Sequence, residues 1–142
     1  MQRKASAIWK GNLREGAGIV NTESGVLRDT PYSFTTRFEN SRGTNPEELI
    51  AAAHAACFSM ALSAQLMTMH LTPEKIETSA DLTFEKLEPG WTITKIHLDV
   101  AARVPGASAD SFASAAASAK ANCPVSRVLK AEISMTAKLE SE

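Results

Sequence analysis

The 142-residue chain reads as an α+β fold, with strands and helices segregated along the sequence. Three observations predict it. Short strand-like runs separated by glycine occupy residues 5 to 39, a long stretch free of Gly and Pro runs from Leu49 to His70, and a hairpin pattern, an Ala-rich helix and one alternating strand complete the chain.

Ser6 to Trp9, Gly18 to Thr22 and Tyr32 to Phe38 are the first strand candidates, and together they predict a meander. If Tyr32 to Phe38 is extended, Tyr32, Phe34, Thr36 and Phe38 share one face, and Arg37 points the opposite way. The polar loop Asn40-Ser41-Arg42-Gly43 leads into Thr44-Asn45-Pro46-Glu47-Glu48, which supplies a cap, a proline suited to the first helical turn and early carboxylates. A central helix follows, expected to be wrapped by other elements because it has little charge, and expected to be closed by Pro73. Ile76 to Lys86 and Trp91 to Val104, joined by Glu88-Pro89-Gly90, predict a hairpin. Ser108-Ala109-Asp110 caps a second helix from Ser111 to about Ala121, which cannot pass Asn122-Cys123-Pro124 unbroken. A helical turn from Pro124 to Lys130 and a strand from Ile133 to Leu139 end the series. No repeat or linker divides the chain, so one domain over residues 1–142 is expected.

Net charge is −1 with the signs interspersed, which leaves no field to hold nucleic acid or an anionic membrane surface. The basic start Met1-Gln2-Arg3-Lys4 lacks the apolar core of a secretion signal, and the run from Leu49 to Leu71 is too rich in Ala and polar residues for a membrane span. Two cysteines far apart in such a chain predict reactive or structural thiols in a reducing, cytoplasmic setting.

Cys57 falls three or four turns into the central helix, where the helix dipole has faded, so reactivity there requires a nearby cation or hydrogen-bond donor. On position alone it reads as a small buried hydrophobe. His54, three residues earlier, lies on nearly the same face and would make a Cys/His acyl transferase, but the sequence offers no third group to orient it. A zinc site from His54, Cys57, Cys123 and His97 or His70 lacks a close-spaced ligand pair. Cys123 precedes Pro124 and, if a helical turn begins there, occupies a cap where backbone N–H groups could lower its pKa; spacing alone does not separate a nucleophile from a simple cap. Arg37 and Glu47 are candidates for a cation and the carboxylate that fixes it bidentately. Ten residues of helix, about 15 Å, separate Glu47 from Cys57. If both serve one site, a second subunit with an antiparallel helix would bring them together.

Taken as a set, Thr22-Glu23-Ser24-Gly25-Val26-Leu27, Thr36-Arg37-Phe38-Glu39, Gly43-Thr44-Asn45-Pro46-Glu47-Glu48-Leu49-Ile50, Ala52-Ala53-His54-Ala55-Ala56-Cys57-Phe58-Ser59-Met60-Ala61-Leu62 and Cys123-Pro124-Val125-Ser126 resemble the OsmC/Ohr family, osmotically inducible and organic hydroperoxide resistance proteins. The Thr-Arg-Phe-Glu and His-Ala-Ala-Cys-Phe runs are closer to the OsmC branch. The resemblance implies an intertwined α+β homodimer with active sites at the subunit interface. It implies Cys57 as peroxidatic and Cys123 as resolving residue, supported by Arg37 and Glu47, with Arg14 the second choice for the arginine. It further implies reduction of organic hydroperoxides, and of hydrogen peroxide, by a small dithiol or lipoyl group in stress defence, with no metal, haem or flavin. An acyl transferase and a non-catalytic binder of apolar ligands are the alternatives.

Overall fold

The computed structural model describes residues 1–141, whose contacts fall into two compact units, one from Met1 to Leu49 and the other from Ile50 onward. In the first, β1 (Ala5–Lys10), β2 (Ala17–Thr22) and β3 (Thr30–Tyr32) form the expected antiparallel meander in that order. Gly18 faces Trp9 on one side and Tyr32 on the other, and the two rings lie 5.5 Å apart. A Cβ at Gly18 would stand 2.6 Å from the Tyr32 ring and 2.7 Å from that of Trp9, so only glycine admits this approach.

The strand expected over Tyr32 to Phe38 is instead the end of β3 and a short helix, α1 (Phe34–Phe38). Phe34 and Phe38 satisfy a period of two, but they are also four apart, which is the helical spacing. Local hydrogen bonding decides between the two. The Ser33 side chain accepts from the Thr36 N–H while the Thr36 hydroxyl accepts from the Ser33 N–H at 2.9 Å, a reciprocal cap that starts a helix. The rings of Phe34 and Phe38 then lie 4.8 Å apart, tilted by 41°. Arg37 therefore leaves the last turn of a helix rather than the polar face of a strand.

The long helix α2 (Pro46–Thr68) starts as expected, with Asn45 Oδ1 accepting from the Glu48 N–H at 2.7 Å. It ends earlier than Pro73, by a different device. His70 takes a left-handed conformation (φ 59°), its N–H bonds to the Met67 carbonyl at 3.0 Å, and the Leu71 N–H bonds back to the Leu66 carbonyl at 3.0 Å. This pair of bonds satisfies the last carbonyls without any help from a proline. Nor is α2 wrapped on all sides. His54, Phe58, Leu62 and Leu66 are buried, whereas Ala52, Ala53, Ala56, Met60, Ala64 and Met67 are exposed on another face. By length and composition the helix is apolar enough to cross a membrane, with a mean hydropathy of 1.5.

In the second unit, β4 (Lys75–Leu87) and β5 (Gly90–Arg103) form the expected hairpin, and β6 (Glu132–Leu139) pairs parallel to β5. Gly90, at φ 134°, closes the tight connection in a conformation that side chains avoid. A parallel neighbour requires a crossover, which α3 (Ala109–Asn122) and α4 (Pro124–Val128) supply. Ile96, Leu98, Val100 and Ala102 alternate along β5 and bury one sheet face against Phe58, Leu62 and Leu66 of α2 and Phe112, Ala115, Ala116 and Ala119 of α3. The Ser59 hydroxyl adds a 2.8 Å bond to Thr78 of β4. Thus one row of α2 is pinned on the sheet, and Cys57, between His54 and Phe58, is held by that packing. Leu62→Ala is expected to lower stability by about 2–5 kcal/mol through the cavity it leaves, measurable by denaturant unfolding.

Candidate active site

The break between α3 and α4 aims a thiol. Cys123 ends α3, its N–H bonded to the Ala119 carbonyl at 2.9 Å, and begins α4, its carbonyl accepting from the Arg127 N–H at 3.1 Å, with Pro124 at the first helical position. Both backbone groups are thereby satisfied, and the side chain caps nothing. Its sulfur instead lies 2.8 Å from that of Cys57, and both cysteines are free thiols. Cys123 is fully buried, whereas Cys57 is partly open to solvent.

Burial pushes the Cys57 thiol above its ordinary pKa, and the adjoining Cys123 raises it further, both as a hydrogen-bond partner and as a like charge if ionised. The backbone N–H of Val125 opposes this by hydrogen-bonding the Cys57 sulfur. Of the N–H groups at the start of α4, which could have favoured a thiolate on Cys123, that of Val125 serves Cys57, and the Cys123 side chain makes no capping bond.

His54 does not act on Cys57. Its Nε2 lies 2.8 Å from the hydroxyl of Ser126 in α4, and Nδ1 has no hydrogen-bond partner. The ring is completely buried, and that burial lowers its pKa. Val125 and Ser126 went unassigned in the sequence reading; the helical turn predicted from Pro124 was the signal that pointed to them.

Arg37 and Glu47 meet in the first unit, as the bidentate pairing requires. Arg37 Nε lies 3.1 and 3.2 Å from the two Glu47 oxygens, and Nη2 lies 2.7 Å from Oε1. The Glu47 side chain is 10% exposed and that of Arg37 35%, so the carboxylate is the buried holder and the guanidinium keeps an open side. The guanidinium also stands 5.2 Å from the centre of the Phe38 ring and shares a cleft of about 230 Å3 with Trp9, Leu13, Tyr32, Phe34 and Phe38. Arg14 lies over Phe34 at 4.9 Å. Among the described residues no three His, Cys, Asp or Glu side chains cluster as metal ligands. His97 instead bonds Ser134 and Thr136 on the exposed sheet face, and His70 closes α2.

Because burial disfavours the His54 imidazolium, the unfolded chain takes up a proton near pH 6.5 that the folded chain refuses. The stability this contributes is present above that pH and is lost as pH falls below it. Denaturant unfolding between about pH 7 and pH 5 is expected to show that loss, and His54→Gln to flatten it.

The family model described as OsmC-like protein matches residues 38–138. Peroxiredoxin OsmC of Escherichia coli is 52% identical over 141 residues, covering 99% of both chains. Organic hydroperoxide resistance protein OhrA of Bacillus subtilis is 26% identical over 125 residues, covering 87% of this chain and 86% of its own. Among solved structures, an OsmC-like protein of Vibrio cholerae superposes with a TM-score of 0.76 at 18% identity, covering 96% of this chain and 99% of its own. OhrB of Bacillus subtilis gives 0.66 at 22% identity, covering 96% and 98%. These structures share the fold, and with the family model and the 52% identical relative they establish that the chain belongs to the OsmC family.

Proposed function

We propose that this chain is a thiol-dependent peroxidase that reduces organic hydroperoxides, with Cys57 as the attacking thiolate and Cys123 as the resolving thiol. The observation that carries the reading is the 2.8 Å approach of two free sulfurs, one partly exposed and one sealed. A disulfide spans about 2.0 Å, so joining them needs only a small movement. The names of the relatives, a peroxiredoxin and an organic hydroperoxide resistance protein, agree with it.

The chemistry follows from exposure. The Cys57 thiolate attacks the outer oxygen of the hydroperoxide, the O–O bond breaks, and the departing alkoxide takes a proton to leave as an alcohol. The Cys123 thiol then displaces hydroxide from the sulfenic acid, giving a disulfide and water and halting oxidation before the sulfinic stage. A dithiol, such as a lipoyl group, restores both thiols by exchange. Since burial raises the Cys57 pKa against the single opposing N–H of Val125, a cation is needed to hold the thiolate at neutral pH. Arg37, fixed by Glu47, is that cation, and it also stabilises the departing alkoxide.

The working form is a homodimer, a single-domain chain paired with its copy in the reducing cytoplasm. The exposed row of α2 supports this: Ala52, Ala53 and Ala56 are small enough for close helix contact, and Met60 is 75% exposed in the single chain. An antiparallel crossing centred on Ala52 sets each Glu47 opposite the Cys57 of the other copy. The acyl transferase reading loses its base, because His54 Nε2 is engaged by Ser126.

The protein is expected to consume tert-butyl hydroperoxide with a dithiol; Cys57→Ser abolishes turnover, and Cys123→Ser accumulates sulfinic acid on Cys57. Arg37→Ala is expected to lower kcat/KM by about 10²–10³. Turnover that survives Cys57→Ser would refute the assignment. Sedimentation is expected to give twice the chain mass, and Ala52→Glu to yield inactive monomers; a stable, active monomer overturns the dimeric site.

A further inference from the structure

Two parallel rungs join α2 to α4. Cys57 meets Cys123 at 2.8 Å, and His54, three residues before Cys57, meets Ser126, three residues after Cys123, also at 2.8 Å. The thiol rung is chemistry; the second rung has been given no part in it. We propose that His54 and Ser126 are positioning residues, whose hydrogen bond clamps α4 on α2 and thereby sets how fast the Cys57 sulfenic acid condenses with Cys123 rather than taking a second peroxide. This rests on the peroxidase reading above.

α4 is weakly held by its own residues. Five residues make little more than one turn, too short to hold a helix by itself. Its first residue is a proline and its N-cap side chain makes no capping bond, so local hydrogen bonding does little to anchor its start. Yet that start carries both groups that face Cys57, the Cys123 sulfur and the Val125 N–H. Something must hold it to a fraction of an ångström, because sulfur attack on a sulfenic acid requires near-contact along the S–O axis. The buried imidazole of His54 does this. A ring with no exposed surface and one unpartnered nitrogen is a poor choice for mere filling, since an apolar side chain would avoid the desolvation cost. Among the described residues its one hydrogen bond goes to Ser126, itself 8% exposed, and that bond ties the short helix to the long one.

The consequence is kinetic. Once Cys57 is a sulfenic acid, two reactions compete for it: condensation with the Cys123 thiol, forming the S–S bond and releasing water, and oxidation by a second hydroperoxide, forming a sulfinic acid and a second alcohol. Only the first needs the Cys123 sulfur that the start of α4 holds in place. Loosening the clamp therefore slows condensation and diverts molecules into the overoxidised state, while the initial attack on peroxide, made by a residue on α2, changes less.

The test uses the full-length protein with cumene hydroperoxide, followed by intact-mass analysis of the ratio of disulfide to sulfinic product. Wild type is expected to give mainly disulfide. Ser126→Ala, which removes one hydroxyl and adds no volume, is expected to raise the sulfinic fraction several-fold at equal peroxide, and Ser126→Thr, which keeps the hydroxyl, to restore most of the wild-type ratio. Should Ser126→Ala not fold, His54→Leu, which removes the ring nitrogen that meets Ser126, is read in the same way. A folded variant that melts lower but keeps the wild-type ratio overturns the proposal, since that is the mark of packing alone. If wild type itself forms no disulfide, the peroxidase reading fails; if wild type does and the variants match it, only the positioning role fails.

Discussion

The meeting of the two thiols depends on the interruption at Cys123-Pro124. A proline at that point denies α3 its next hydrogen bond, and the chain turns into α4 with the cysteine serving both as the C-cap of one helix and the N-cap of the next. With its backbone groups spent on those two helices, the thiol is left to face α2. The 2.8 Å sulfur separation is thus a backbone effect, imposed by a residue that itself carries no reactive group.

The same constraint explains why the two cysteines are inequivalent. Cys123 is sealed among helices, while Cys57 sits between the buried row of α2, which packs on the β5 face, and its exposed row. On the proposed reading, accessibility suits Cys57 to meet the peroxide, and burial leaves Cys123 to meet only its neighbour. Electrostatics runs against this choice, since desolvation makes a thiolate at Cys57 costly. On the proposed reading, the complementary device is the Arg37 guanidinium held by the buried Glu47 carboxylate. Arginine suits that proposed task because two bonds to Glu47 fix its planar fork.

Much of the fold was legible in order. The hairpin, the crossover helix capped at Ser108, the break at Cys123 and the alternating β6 follow from glycine, proline and capping chemistry, all of which act between residues close in sequence. Two errors have the same origin. Residues 34 to 38 satisfy the strand period and the helix period together, and the reciprocal Ser33–Thr36 cap, a matter of two hydrogen bonds, settles the competition. At the end of α2, His70 accepts a left-handed conformation usually left to Gly or Asn, so the helix stops before any proline is reached. The expectation of a fully wrapped α2 failed differently: apolar composition says that a helix will be covered, not that its own chain will cover it.

The sequence by itself determined the segregated α+β order, the candidates Cys57, Cys123, Arg37 and Glu47, and, through the ordered set of motifs, the family. Those properties are carried by residue identity and short-range spacing. Only the tertiary structure decided which groups touch: that the Val125 N–H serves Cys57 and not Cys123, that His54 bonds Ser126 rather than a thiol, and that one face of α2 stays open. Such pairings join positions up to 72 residues apart, and no local rule reaches across that distance, because they are set by how helices pack on a sheet and not by what either segment prefers alone.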